Sequence, residues 1–195
     1  MSEIRHDPAT SEAPPRYRLK KTVAMVGMMG AGKTAVGRAL AARLDVPFLD
    51  SDAEIEVAAN MTIPEIFARD GEPFFRDKES QVIGRLLETE RCILSTGGGA
   101  FLREDNRSMI TNMGVSVWLR AELDVLWSRV RHKETRPLLR TADPRATLGE
   151  IYAARVPLYA KADLAVDTDG QVSIENMVDR VLTALLTRPD VLEQI

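Results

Sequence analysis

The residues richest in chemistry lie in the stretch "GMMGAGKTAVG", Gly27 to Gly37, where Gly27, Gly32, Lys33 and Thr34 match G-x-x-x-x-G-K-[ST]. Glycines there permit positive φ and leave no side chain between backbone N–H groups and an anion. A helix that follows adds unpaired N–H groups and the positive end of its dipole. Lys33 supplies a mobile charge for β- and γ-phosphates, and Thr34 a hydroxyl ligand for Mg²⁺. A chance match in a glycine-rich turn is the alternative, but an apolar run before and helix formers after supply the context a phosphate cradle needs. The motif identifies a phosphate donor and says nothing about the acceptor.

Asp50 and Asp52 stand two residues apart in "FLDSDAEIE". An extended chain there would place both carboxylates on one face, at the carboxyl end of a strand, where open parallel sheets bind ligands. Such acids suit a Mg²⁺-bound water or an attacking hydroxyl. Asp50, Ser51 and Asp52 also each suit a helix N-cap, and one acid can cap while the other does chemistry. "STGGGAF" holds three consecutive glycines, which are costly in conformational entropy and suggest close approach of a ligand to the backbone, with a plain loop as the alternative. Arg76 follows an aromatic pair in "EPFFRDKES", and Arg155 stands just before Pro157, read as a helix-ending proline, in "YAARVPLY". A guanidinium fork grips carboxylate or phosphate, although either arginine taken singly is as well explained by a surface role. The basic stretch "RHKETRPLLR" (131–140) fits a lid over phosphates or an ordinary solvated loop.

The elements that must position these residues follow from hydropathy. Apolar runs at 22–26, 46–50, 92–96, 115–119 and 163–167 predict five strands. Amphipathic helices are expected at 33–44, around "DAEIEVAA", from Glu72 towards Leu87, over "ELDVLWSRVRH" and over "SIENMVDRVLTALL". Alternation of this kind predicts an α/β fold around a parallel sheet. Residues 1–20 are polar, with Pro8, Pro14 and Pro15, and read as a flexible N-terminal arm; residues 21–195 read as one domain.

A chain of 195 residues with 26 basic against 29 acidic side chains argues against wholesale nucleic-acid binding. No apolar stretch approaches the roughly 20 residues of a membrane helix. The one cysteine, Cys92, permits no internal disulfide, reads as a buried structural thiol, and fits a reducing compartment. A cytoplasmic protein without nucleic-acid or membrane partners, acting as a monomer, is the expectation.

"GMMGAGKTAVGRALA", "FLDSDAEIE", "IPEIFARDGEPFFRDKES", "LSTGGGAF", "RPLL" and "ARVPLYAKAD" occur in the order found in shikimate kinases, and from Thr22 to the closing helix the chain resembles that family. The resemblance implies a three-layer, nucleoside-monophosphate-kinase-like P-loop fold with a five-stranded parallel sheet, substrate-binding helices and a lid. It implies transfer of the ATP γ-phosphate to the 3-hydroxyl of shikimate, in chorismate and aromatic amino-acid biosynthesis. By the same resemblance, Gly30, Ala31, Gly32, Lys33, Thr34 and Ala35 would wrap the phosphates. Thr34 would ligate Mg²⁺, and Asp50 would hold it through water. Asp52 would meet the acceptor hydroxyls as the candidate base; Arg76, Gly98 and Arg155 would bind the acceptor. Lys33 and Arg136 would stabilise the phosphoryl group in transit, with Arg129 and Gln171 beside the adenine. A gluconate kinase of the same fold is the nearest rival. A GTPase-type switch is more distant, because no N-K-x-D motif is present and the only D-x-x-G, Asp167 to Gly170, follows the last predicted strand.

Overall fold

The computed structural model describes residues 14–133 and 136–195. In chain order the elements are β1 (Tyr17–Leu19), β2 (Val23–Val26), α1 (Lys33–Leu44), β3 (Phe48–Asp50), α2 (Ser51–Ala59), α3 (Ile63–Thr89) and β4 (Ile93–Ser95). They continue with α4 (Glu104–Met113), β5 (Val115–Ala121), α5 (Leu123–Val130), α6 (Pro144–Tyr159), β6 (Leu164–Thr168), α7 (Ile174–Leu186) and β7 (Leu192–Gln194). Five strands form one parallel sheet in the order β3-β4-β2-β5-β6. Its central strand, "VAMV", is wholly buried, as a strand covered by helices on both faces must be.

Right-handed crossovers decide which helices cover which face. The chain leaves β2 for β3 in one direction and then steps back through β4, β5 and β6 in the other, so α1 lies on one face and α3 and α4 on the opposite one. Accordingly α1 packs on α7, and α3 packs on α4. The reversal of direction beside β2 opens a crevice at the carboxyl ends of β2, β3 and β4, the usual ligand position in such sheets.

Several expectations need correction. The arm predicted over residues 1–20 fails at Tyr17–Leu19, which pairs antiparallel with Leu192–Gln194. Tyr17 and Leu19 turn inward onto the core while Arg18 faces out to Glu193, an alternation short enough to be overlooked among prolines. Residues 1–13 of that arm lie outside the described residues.

The helix expected from Glu72 is present after the break at Gly71, but a helical segment that the hydropathy reading passed over precedes it, from Ile63. Thr62 caps that segment in a reciprocal capping box with Glu65, and Gly71 (φ 82°) breaks its course before Pro73 restarts it. Pro157 does not end α6, which runs on to Tyr159; so close to the C-terminus, its missing N–H removes a single helical bond. The helices α4 and α6 had no counterpart in the hydropathy reading.

Candidate active site

Between β2 and α1 the chain closes a tight loop. Gly30 has φ 82°, and a Cβ there would stand 2.7 Å from Val130 Cγ1, so both conformation and space require glycine. Gly32, also in the left-handed region, is the N-cap of α1 and has no side chain to occupy the helix N-terminus. Lys33 Nζ donates to the carbonyls of Gly27 (2.8 Å) and Met28 (3.0 Å). Burial, and then the guanidinium groups of Arg136 and Arg155, push its pKa down to about 8. A cation disfavoured by its surroundings in this way is what an arriving phosphate relieves. Around the loop lies a cavity of about 660 Å³, lined in part by Gly30 to Ala35, Asp50, Asp52 and Gly98.

Asp50 closes β3 and caps α2. Its Oδ1 accepts from the N–H groups of Asp52 (2.9 Å) and Ala53 (3.1 Å), so both capping bonds fall on one oxygen. The helix begins at Ser51, and the extended geometry expected for Asp50 to Asp52 is therefore absent. Both acids reach the same cavity all the same, because the strand end and the first helical turn face the crevice together. Burial first, and then the neighbouring Asp50 charge, raise the Asp52 pKa against the opposing pull of Arg76.

A second cavity of about 250 Å³ adjoins the first and shares Lys33, Gly98 and Arg136 with it. It adds Arg76, Gly99 and Arg155. Arg76 is held by Glu79, whose Oε1 accepts from Nη1 at 2.9 Å, and lies over the Phe75 ring. Glu79 is buried, its pKa is raised by that burial, and its Oε2 has no partner among the described residues. The Gly98 carbonyl accepts from Arg155 Nη1 (3.2 Å) and from the hydroxyl of Tyr159 (2.9 Å).

The triple glycine lines both cavities, and side chains of the site crowd it as well. A Cβ on Gly97 would strike Asp52, one on Gly98 would crowd Arg155, and one on Gly99 would strike the Arg76 guanidinium. The side chains of Asp52, Arg155 and Arg76 thus lie where those Cβ atoms would fall.

Arg136 lines both cavities, and its buried Nε has no partner among the described residues. A buried donor without an acceptor is costly unless a ligand completes it, and an anionic phosphate would do so. Arg129 lines the first cavity and ties its floor, donating to the carbonyls of Gly30 (3.0 Å) and Asp169 (3.2 Å). Gln171 lines neither cavity; its backbone N–H donates to Asp169 Oδ1, and the neighbouring Val172 meets the first cavity instead.

Thr34 and Asp50 meet the same cavity from the start of α1 and the end of β3. Magnesium takes one or two protein oxygens and completes its shell with phosphate and water, so this sparse donor pair fits Mg²⁺. Among the described residues no cluster of three or more His, Cys, Asp or Glu offers an all-protein metal cage.

Sequence reasoning missed Glu79 and Tyr159. Both stand at helical spacing from an arginine already singled out, three residues after Arg76 and four after Arg155. That spacing is the signal that would have found them.

The family model for shikimate kinase matches residues 29–186. The chain belongs to the shikimate kinase family. Its reaction class is ATP-dependent phosphoryl transfer, and its five-stranded P-loop architecture is that of shikimate kinases. A shikimate kinase of Ruegeria pomeroyi is 72% identical over 99% of both chains. One from Cereibacter sphaeroides is 70% identical over 90% of this chain and 88% of its own. Among solved structures, the Acinetobacter baumannii shikimate kinase in complex with shikimate superposes with a TM-score of 0.78 at 36% identity, covering 86% of this chain and 93% of that one.

Proposed function

We propose that the larger cavity holds ATP, that the smaller one holds shikimate, and that the γ-phosphate passes to the shikimate 3-hydroxyl where the two cavities meet. The observation that carries this reading is the shared boundary of Lys33, Gly98 and Arg136, with Asp52 lining the donor side and Arg76 and Arg155 the acceptor side.

Arg76 and Arg155 bind the acceptor carboxylate and orient the ring so that the 3-hydroxyl faces Asp52. Asp52 accepts the hydroxyl proton, a role that its raised proton affinity favours. Lys33 leaves the carbonyls of Gly27 and Met28 for the β- and γ-phosphates, whose charge favours its ammonium form. Arg136 offers its unpartnered Nε to the phosphoryl group in transit. Thr34 and Asp50 would hold Mg²⁺, which would supply positive charge against the negative charge gathering on the phosphates. Arg129 flanks the nucleotide. Positioning and electrostatics do most of the work in this chemistry, and closure of the 131–140 segment, two of whose residues lie outside those described, excludes competing water.

A cytoplasmic monomer completes the proposal. The buried Cys92 is consistent with it, and among the described residues no helix is long and apolar enough to cross a membrane. The deciding assay measures ADP release with ATP and magnesium in the presence of shikimate, of gluconate, or of neither. Shikimate-dependent release is expected; equal rates in all three would sink the reading.

A further inference from the structure

Tyr159 is fully buried at the end of α6, its ring close to parallel with those of Phe101 and Trp118 at centroid distances of 6.4 and 6.2 Å. A phenylalanine would fill that space without bringing a hydroxyl into the core. The hydroxyl donates to the Gly98 carbonyl at 2.9 Å and lies beside the Arg155 guanidinium, whose Nη1 donates to the same oxygen at 3.2 Å. Tyr159 lies one helical turn beyond Arg155, so both donors come from the same face of α6.

We propose that Tyr159 is a positioning residue for the acceptor site: by holding the Gly98 carbonyl it sets both the glycine turn and the Arg155 guanidinium before the acceptor arrives. This inference rests on the shikimate reading above. The peptide joining Gly98 to Gly99 is planar, so fixing its carbonyl also fixes the direction of the Gly99 N–H. Gly97 and Gly99 abut Asp52 and Arg76, and rotation of that peptide would disturb three acceptor-side contacts together. With the tyrosine hydroxyl in place, the Gly98 oxygen does not depend on Arg155 alone, and the guanidinium can turn donors to a carboxylate. Without it, Arg155 is the only remaining partner of the Gly98 oxygen, and the acceptor must compete for the guanidinium.

The test is Tyr159→Phe, which keeps the ring, assayed for KM of shikimate, KM of ATP, kcat and melting temperature. The shikimate KM is expected to rise about fivefold, the size of one ordinary hydrogen bond, while kcat and the ATP KM change less than about twofold. In an Arg155→Lys background the tyrosine substitution should add almost nothing, because the two act through one carbonyl. Tyr159→Leu, which also removes the ring, serves as the packing control and should lower the melting temperature as well. Equal loss of affinity for both substrates, or full additivity with Arg155→Lys, overturns the proposal. A wild-type enzyme without shikimate-dependent turnover overturns this inference and the functional reading together. Shikimate-dependent wild-type turnover with an unchanged Tyr159→Phe variant overturns this inference alone.

Discussion

A Cβ added to Gly97 would stand 2.6 Å from Oδ1 of Asp52, closer than any side chain tolerates. The glycine and the candidate base belong to different crossovers, yet each defines the space of the other. Gly97→Ala should displace the carboxylate and lower kcat by about 10- to 100-fold, the cost of misplacing a reacting group by an ångström or less. Steady-state kinetics on a variant with an unchanged melting temperature would check this; wild-type turnover would contradict it.

Asp52→Asn keeps the size of the side chain and removes its basicity. We expect kcat to fall by about 10²- to 10⁴-fold while the ATP KM stays within a few-fold, since the proposed role of Asp52 is to accept the acceptor hydroxyl's proton. A pre-steady-state measurement of phosphoryl transfer separates this from slow product release.

Asp50 carries two roles that substitution can separate. Asn caps a helix as well as Asp does, so Asp50→Asn should leave the melting temperature almost unchanged while raising the Mg²⁺ concentration needed for half-maximal turnover. Asp50→Ala should show the same magnesium defect and also lose about 1 kcal/mol of stability in urea unfolding.

Arg76→Ala should raise the shikimate KM by the equivalent of about 1.5–3 kcal/mol, with the ATP KM unaffected. Glu79→Gln retains an acceptor for Arg76 Nη1 but not the charge that holds it. It should give a smaller rise in the same constant, measured by titrating shikimate at saturating ATP.

Cys92 provides a pH signature unconnected with catalysis. Burial raises its thiol from 9.0 to about 11. The unfolded chain therefore loses this proton at lower pH than the folded chain does, and the stability it confers is complete below pH 9 and lost as pH rises towards 11. Between pH 8 and pH 10 the stability of the wild type measured by urea unfolding should fall by about 1 kcal/mol relative to that of Cys92→Ala, a difference in which the titration of other groups such as Lys33 cancels.

Much of this was legible in the residues. The phosphate loop could be read because its glycines, Lys33 and Thr34 act through local backbone geometry within one turn of chain. The helix at 63–70 announced itself through Thr62 and Glu65, but a reading weighted towards hydropathy passed over that capping box. Strand β1 was hidden because three residues carry too little pattern to outweigh the prolines before them.

The sequence by itself determined the phosphate-loop motif, the parallel α/β architecture and, through its ordered motifs, the family. Only the tertiary structure decided which side chains crowd each glycine of "GGG", what holds Arg76 and Arg155, and which oxygen of Asp50 is committed to capping. The physical reason is range. Local motifs bring their own partners, whereas the glycine turn meets Asp52, Arg155 and Arg76 from three other segments of the chain. Those meetings exist only once the crossovers have folded α2, α3 and α6 around the end of β4.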